Sequence, residues 1–211
     1  MRVIAGVARG RPLLPPERAP TRPTGDKVKG AIFSMLDAEA LRRGIEPESA
    51  DDETDGRFAA AVAWPRVLEL YAGSGALAIE ALSRGAIHAD LVDTSIDARR
   101  AMTGNLQKTG LTDRATVHAL SSEKAVSTFR GPYDLILLDP PYDAEGVWLL
   151  LEQVVRSGLL APGGVVVCEH STSNEPPARI GDTADTHGLQ LLRTRRHGAA
   201  SVSLFAADAT A

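Results

Sequence analysis

One cysteine, Cys168, stands in 211 residues, which excludes an internal disulfide framework. Its place in the apolar run GGVVVCEH reads as a small buried hydrophobe rather than a nucleophile. No apolar run approaches the length of a bilayer span, and the opening MRVIAGVARGRP lacks a hydrophobic signal core. The protein therefore reads as cytoplasmic, without a membrane partner. No internal repeat is evident, no His/Cys cluster has metal-ligand spacing, and no Ser-His-Asp arrangement is suggested. A metal cofactor is not expected.

Strong net charge is missing too, at a formal −4, but its distribution is uneven. Residues 1–36 carry seven Arg or Lys against Glu17 and Asp26, a net of +5, whereas residues 37–57 carry eight acids against three arginines, a net of −5. A basic arm on an acidic protein suggests a polyanionic partner, with a solvated charged face as the equal alternative. The chain divides into a basic arm and first helix over 1–36, an acidic insertion over 37–63 and a core over 64–211. A monomer is expected.

The arm, broken by Gly6, Gly10 and Pro12, suits a small hairpin. In the next segment Val28, Ile32, Phe33 and Leu36 share a helical face, with Thr24 or Asp26 as the cap. From Arg66 onward, short β-branched or leucine-rich runs alternate with helical stretches. RVLEL, ADLVD, ATVHA, YDLILLD and GGVVVCEH are the strands. That alternation predicts an α/β fold, a doubly wound and mainly parallel sheet covered on both faces. The tail, two extended runs around His197-Gly198, predicts a closing antiparallel hairpin.

Two motifs carry chemistry. LELYAGSGALA follows the first core strand, where Gly73 and Gly75 permit a tight turn and a close backbone approach to a ligand. Asp93 ends the next strand, where an acid meets ribose hydroxyls. The glycine spacing also fits a dinucleotide loop, so an NAD-type oxidoreductase is a competitor. Glu69 argues against it, because a carboxylate aimed at the crevice repels a pyrophosphate and attracts the cationic amino-acid part of S-adenosylmethionine (AdoMet).

The second motif is YDLILLDPPY. First and fourth strands of such a sheet are neighbours, and ligands bind outside their carboxyl ends, so Asp139 is expected beside the glycine loop. An exocyclic base amine is a poor nucleophile because its lone pair is delocalised. Asp139 and the Pro140 carbonyl can each accept one of its hydrogens, and Pro140 and Pro141 hold those acceptors rigidly without a competing N–H. Tyr142 offers a flat face to an unstacked base. The plainer alternative is a strand terminator, which a bare Asp-Pro-Pro would favour.

With both motifs and the basic arm together, the chain resembles the RsmD family of AdoMet-dependent small-subunit rRNA (guanine-N2)-methyltransferases. The resemblance covers nearly the whole chain, through MRVIAGVARGRPL, TRPTGDKVKGAIFSML, VLELYAGSGALAIEALSRGA, LDPPY and LLAPGGVVVCEH. It implies a Rossmann-like class I methyltransferase fold, AdoMet as donor, and a guanine of 16S rRNA in an assembling 30S particle as target. The cofactor set is then Glu69, Tyr71, Ala72, Gly73, Ser74, Gly75, Asp93, Thr94, Leu120 and Ser121. Arg2, Arg9, Arg11, Arg22 and Thr24 form the RNA-binding set. Arg193, Arg195 and Arg196 either extend that surface or are simply carried by an exposed hairpin. His170 lines the pocket or is a satisfied histidine.

The chain departs from the family at TGDKVKG, where Gly25 and Gly30 lack side chains the family usually carries. It also lacks the acid that commonly follows the third strand, so adenine recognition falls to the backbone around Leu120. Two rival functions stay open: a methyltransferase for another planar amine (DNA adenine or protein glutamine), and a non-catalytic RNA-binding assembly factor.

Overall fold

The computed structural model describes residues 1–17, 25–46, 58–141, 146–181 and 188–208. The alternating runs form five parallel strands: β1 (Arg66–Leu70), β2 (His88–Val92), β3 (Ala115–His118), β4 (Tyr133–Leu138) and β5 (Leu160–Ser171). A two-residue β6 (Arg179–Ile180), which nothing in the sequence pattern announced, precedes the tail hairpin of β7 (Leu189–His197) and β8 (Ala200–Ala207). The sheet order is β3-β2-β1-β4-β5-β8-β7-β6, with β5, β8, β7 and β6 pairing antiparallel in turn. β1 and β4 are neighbours, as the order of a doubly wound sheet requires.

Alternation along each strand sends successive side chains to opposite faces. Val67, Leu91, Leu135, Leu137, Val167, Val202 and Leu204 pack beneath α1 (Asp26–Arg42), α3 (Ala76–Ser83) and α4 (Ile96–Thr109). Leu68, Leu70, Ile136, Leu138, Val166, Cys168 and Phe205 pack on the other face, with α5 (Ser122–Thr128) and α6 (Val147–Arg156). Cys168 is fully buried, and burial pushes its thiol well above the ordinary range, the state of an inert core residue.

The N-terminal arm is not a free extension. It forms a tight hairpin (Val3 N–H to Arg11 carbonyl 3.0 Å; Leu13 N–H to Met1 carbonyl 3.0 Å) and buries Val3, Ala8 and Leu13 in the first core layer. Gly6 lies so close to α3 that a Cβ would sit 1.8 Å from the Ser83 carbonyl oxygen, at a φ of +78°. Only glycine fits there. The buried Glu80 carboxylate then accepts from Ile4 N (2.8 Å), Ala5 N (3.0 Å), Arg84 Nε (2.9 Å) and the fully buried Lys29 Nζ (3.2 Å).

Helix α1 corrects two expectations. Its N-cap is Gly25, without a side-chain cap bond, and Asp26 instead accepts from the Arg2 N–H (3.1 Å), while Thr24 lies outside the described residues. The helix also passes the expected boundary at residue 36. Asp37 turns inward to Arg84 (3.1 Å) and Glu39 binds Arg42 and Arg43, so these acids belong to the packed helix rather than to an acidic insertion. At the other end of that span, α2 (Ala59–Ala63) buries Ala59, Ala60 and Ala61, and Asp37 receives the Ala60 N–H (3.0 Å). Charge places a break after residue 36, where α1 runs on to Arg42; the acidic stretch over 47–57 lies outside the described residues.

Candidate active site

β1 and β4 end level with each other, Leu70 pairing with Leu138. The residues that follow, Tyr71–Gly75 and Asp139–Pro141, therefore emerge side by side at the carboxyl edge of the sheet. The first loop turns sharply. Tyr71 holds a left-handed φ of +56°, Gly73 one of +52° and Gly75 one of +73°, and Gly75 caps α3. A Cβ on Gly75 would come within 2.7 Å of Leu91 Cδ2, so its glycine serves packing as well as the turn. For a tyrosine this backbone conformation is costly, about 1–3 kcal/mol, and such strain concentrates at functional sites. The loop is pinned by Ala72 N–H to the Val92 carbonyl (3.0 Å) and by Gly73 N–H to Asp93 Oδ2 (2.9 Å).

Asp93, half-buried at the end of β2, thus holds the glycine loop with one oxygen and the Ser95 N–H with the other (2.8 Å). Thr94 is exposed, and Arg99 Nη1 braces the turn by donating to the Asp93 (3.2 Å) and Thr94 (2.6 Å) carbonyls.

Glu69 is placed differently from expectation. It is buried beneath the loop, where Oε2 accepts from Ala78 N (2.9 Å) at the start of α3. Burial raises its pKa to about 8, against the pull of the Ala78 and Leu77 N–H groups, and nearby Asp139 and Asp93 raise it further. Glu69 therefore supports the loop from below, largely protonated at neutral pH. The negative charge at the rim belongs to Asp93 and Asp139. Asp139 itself is half-buried and Pro140 buried; Tyr142 lies outside the described residues.

Ser74 also turns away. Its side chain packs against Met1 and its carbonyl accepts from Asn105 Nδ2 (2.9 Å). Asn105, fully buried on α4, also accepts from the Leu14 N–H and donates to the Leu14 carbonyl (each 2.9 Å), so one side chain ties the arm to the glycine loop. Ser121 spends its hydroxyl capping α5, accepting from Lys124 N (3.2 Å), and Leu120 is half-buried. Past them, Glu123 receives the Tyr71 hydroxyl (3.2 Å), so an acid does follow β3, in the first turn of α5.

His170 is buried, bonded to Ser203 Oγ (2.8 Å) and the Ser171 carbonyl (2.9 Å), and its pKa is lowered by burial. It is a satisfied histidine, packed edge-on against Trp148.

The RNA-binding set scatters. Arg22 and Thr24 lie outside the described residues. Arg2 is exposed and within 3.9 Å of Asp26. The tip of the arm packs on Ser83, at the end of α3 remote from the glycine loop, and exposed Arg11 donates to the Lys108 carbonyl in the last turn of α4. Arg9, also exposed, sits at that tip.

Asn105, Arg99 and Glu123 escaped the sequence reading. Asn and Arg on an ordinary amphipathic helix give no local signal of what they reach. Glu123 was visible as an acid soon after β3.

A doubly wound sheet with a glycine loop after β1, an acid after β2 and Asp-Pro-Pro after β4 defines a protein of the methyltransferase class. Residues 1–206 match the family model described as "Conserved hypothetical protein 95", and the chain belongs to this family, the RsmD-type methyltransferases. It is 34% identical over 212 residues to "Putative rRNA methyltransferase YlbH" of Bacillus subtilis, covering 97% of this chain and 98% of that one. It is 29% identical over 184 residues to "Ribosomal RNA small subunit methyltransferase D" of Escherichia coli, covering 84% and 78%. The solved structure of yhhF from Escherichia coli superposes with a TM-score of 0.73 at 24% identity, over 100% of this chain and 99% of that one, and shows the same fold.

Proposed function

We propose that this protein transfers the methyl group of AdoMet to the exocyclic N2 amine of a guanine in small-subunit rRNA, within an assembling ribosomal subunit. The observation that carries the reading is the meeting of Asp139-Pro140-Pro141 with the Tyr71–Gly75 loop at one edge of the sheet. The names of the relatives, rRNA methyltransferases in two bacteria, support RNA as substrate.

The residues present fit a cationic donor. Asp93 and Asp139 place negative charge on the rim, and the lining of the Gly73 turn leaves open space, with only the Tyr71 carbonyl 4.0 Å from where a Cβ would lie. AdoMet supplies a methyl group on a positively charged sulfur. Tyr71, Ala72, Gly73 and Gly75 would hold it along the loop, Asp93 at its ribose, and Thr94, Leu120 and Ser121 around its adenine. Asp139 accepts one hydrogen of the target amine and the Pro140 carbonyl accepts the other. This localises the nitrogen lone pair and stabilises the positive charge that develops on it. The surplus proton leaves through Asp139 once the nitrogen is methylated. Orientation of the amine toward the donor contributes much of the rate.

The test is Asp139→Ala assayed with small ribosomal subunits from cells lacking the protein, with mass-spectrometric mapping of the methylated nucleotide. AdoMet binding is expected to persist while transfer falls by at least about a hundredfold. Retained turnover, or a product other than N2-methylguanine, refutes the reading.

A further inference from the structure

We infer that Arg193 and Arg195 on β7 form a phosphate-binding track for the RNA strand that enters the catalytic edge. The inference rests on the methyl-transfer reading above and adds to it a surface on the opposite end of the chain from the basic arm.

The geometry is that of a single transverse row. Arg195 pairs with Val202, and Val202 with Glu169. Glu169 follows Cys168, the partner of Leu138, so it is level with Asp139. Arg193 lies one pleat lower, opposite Leu204. Three strand spacings separate β4 from β7, roughly 14 Å, a few nucleotides of extended chain. β7 runs parallel to β5, so its arginines approach the same carboxyl edge as the active site.

Which face they use is decided by a register shift between Leu191 and Arg193. Leu191 packs with the layer under α5 and α6. Without the shift, strict alternation would send Arg193 and Arg195 to that same layer. The extra residue, Leu192, packs against the opposite layer and resets the phase. Arg193 and Arg195 then share the face of Leu204 and Val202, the face of Leu137 and hence of Asp139. The side-chain contacts agree. Thr194, between the two arginines, bonds Ser203 Oγ (2.9 Å), the same hydroxyl that His170 meets on the other face. Arg196, opposite Ser201, falls with Thr194 and away from Asp139.

Both arginines are exposed, and among the described residues neither has an ion-pair partner. A chain of net charge −4 thus presents two unneutralised guanidiniums level with an acid-lined crevice. Guanidinium forks suit phosphate oxygens, and phosphate contacts set the register of a nucleic acid without reading its bases.

The experiment compares R193E/R195E, R193K/R195K and R196E on the same ribosomal particles, with AdoMet affinity by calorimetry as the folding control. The double reversal is expected to raise KM for the particle at least about tenfold, leave kcat and AdoMet affinity nearly unchanged, and flatten the salt dependence by roughly one unit of slope per arginine. The lysine pair should recover most of the affinity, and R196E should cost less than about threefold. Unchanged KM and salt slope in R193E/R195E, with Asp139→Ala still silent, would overturn the track and leave the methyl-transfer reading standing. Equal losses in R196E and R193E/R195E would overturn it too, as a general charge effect. Full turnover by Asp139→Ala would strike the methyl-transfer reading instead.

Discussion

The N-terminal arm and the C-terminal hairpin are both arginine-bearing segments joined to one sheet, yet they hold their charge in opposite ways. The arm is clamped from within, its backbone gripped by Glu80 and Ser83 and its apolar residues sunk into the core. Its tip packs on Ser83 at the far end of α3, and Arg11 there donates to the Lys108 carbonyl of α4. The hairpin is held by its ladder and by the buried side chains of β8, and its register shift brings level with Asp139 two guanidiniums that have no ion-pair partner among the described residues. Under the proposed phosphate track, the strand register of the hairpin rather than the basic composition of the arm marks the polyanion surface.

Four changes break or sharpen that contrast. The largest effect belongs to neither segment: Asp139→Asn keeps the shape but weakens the acceptor, and transfer should fall by at least about a hundredfold in a methyl-incorporation assay. Next is the arm's anchor. Glu80→Ala leaves Lys29 charged and buried without its counter-ion, at a cost of about 3–5 kcal/mol in urea unfolding. A loss below about 1 kcal/mol would mean the arm is merely draped on the core.

The third change concerns pH. Glu69 ionises near 8 when folded and near 4.5 when unfolded. Between those values the native state holds a proton that the unfolded chain has lost, so stability falls as pH rises through the window. Glu69→Gln should flatten that decline between pH 5 and 8 in thermal melts, and an unchanged slope would place the buried proton elsewhere. The smallest effect is expected for Arg9→Gln with Arg11→Gln, under about twofold in KM for the ribosomal particle. A larger loss would restore the arm to the substrate surface and narrow its difference from the hairpin.

The sheet was readable because its strands are short apolar runs bounded by glycines and acids, and because helical stretches separate them. The meeting of Asp139 with the glycine loop followed from strand order alone. Direct contacts within the rim did not. Glu69 looked ligand-facing because its strand ends at the crevice, but its oxygen turns under α3 to Ala78, a choice made by the helix start rather than by the strand. Glu80 sits in an apolar helical run with no local sign that Lys29 and two arm amides will surround it. Leu192 reads as one more strand residue, although it reverses the faces of everything after it. Each miss depends on a partner far along the chain, and hydrophobic periodicity reports only near neighbours.

The clamp on the arm has a consequence for how the chain assembles. Residues 4 and 5 find their acceptor 76 and 75 positions later, and Leu14 finds Asn105 after 91. During synthesis the arm must wait, unplaced, until helices α3 and α4 have been made. Its apolar side chains are spare until then, and docking closes loops of high contact order late in folding. Within this domain the arm is made before the two helices that hold it.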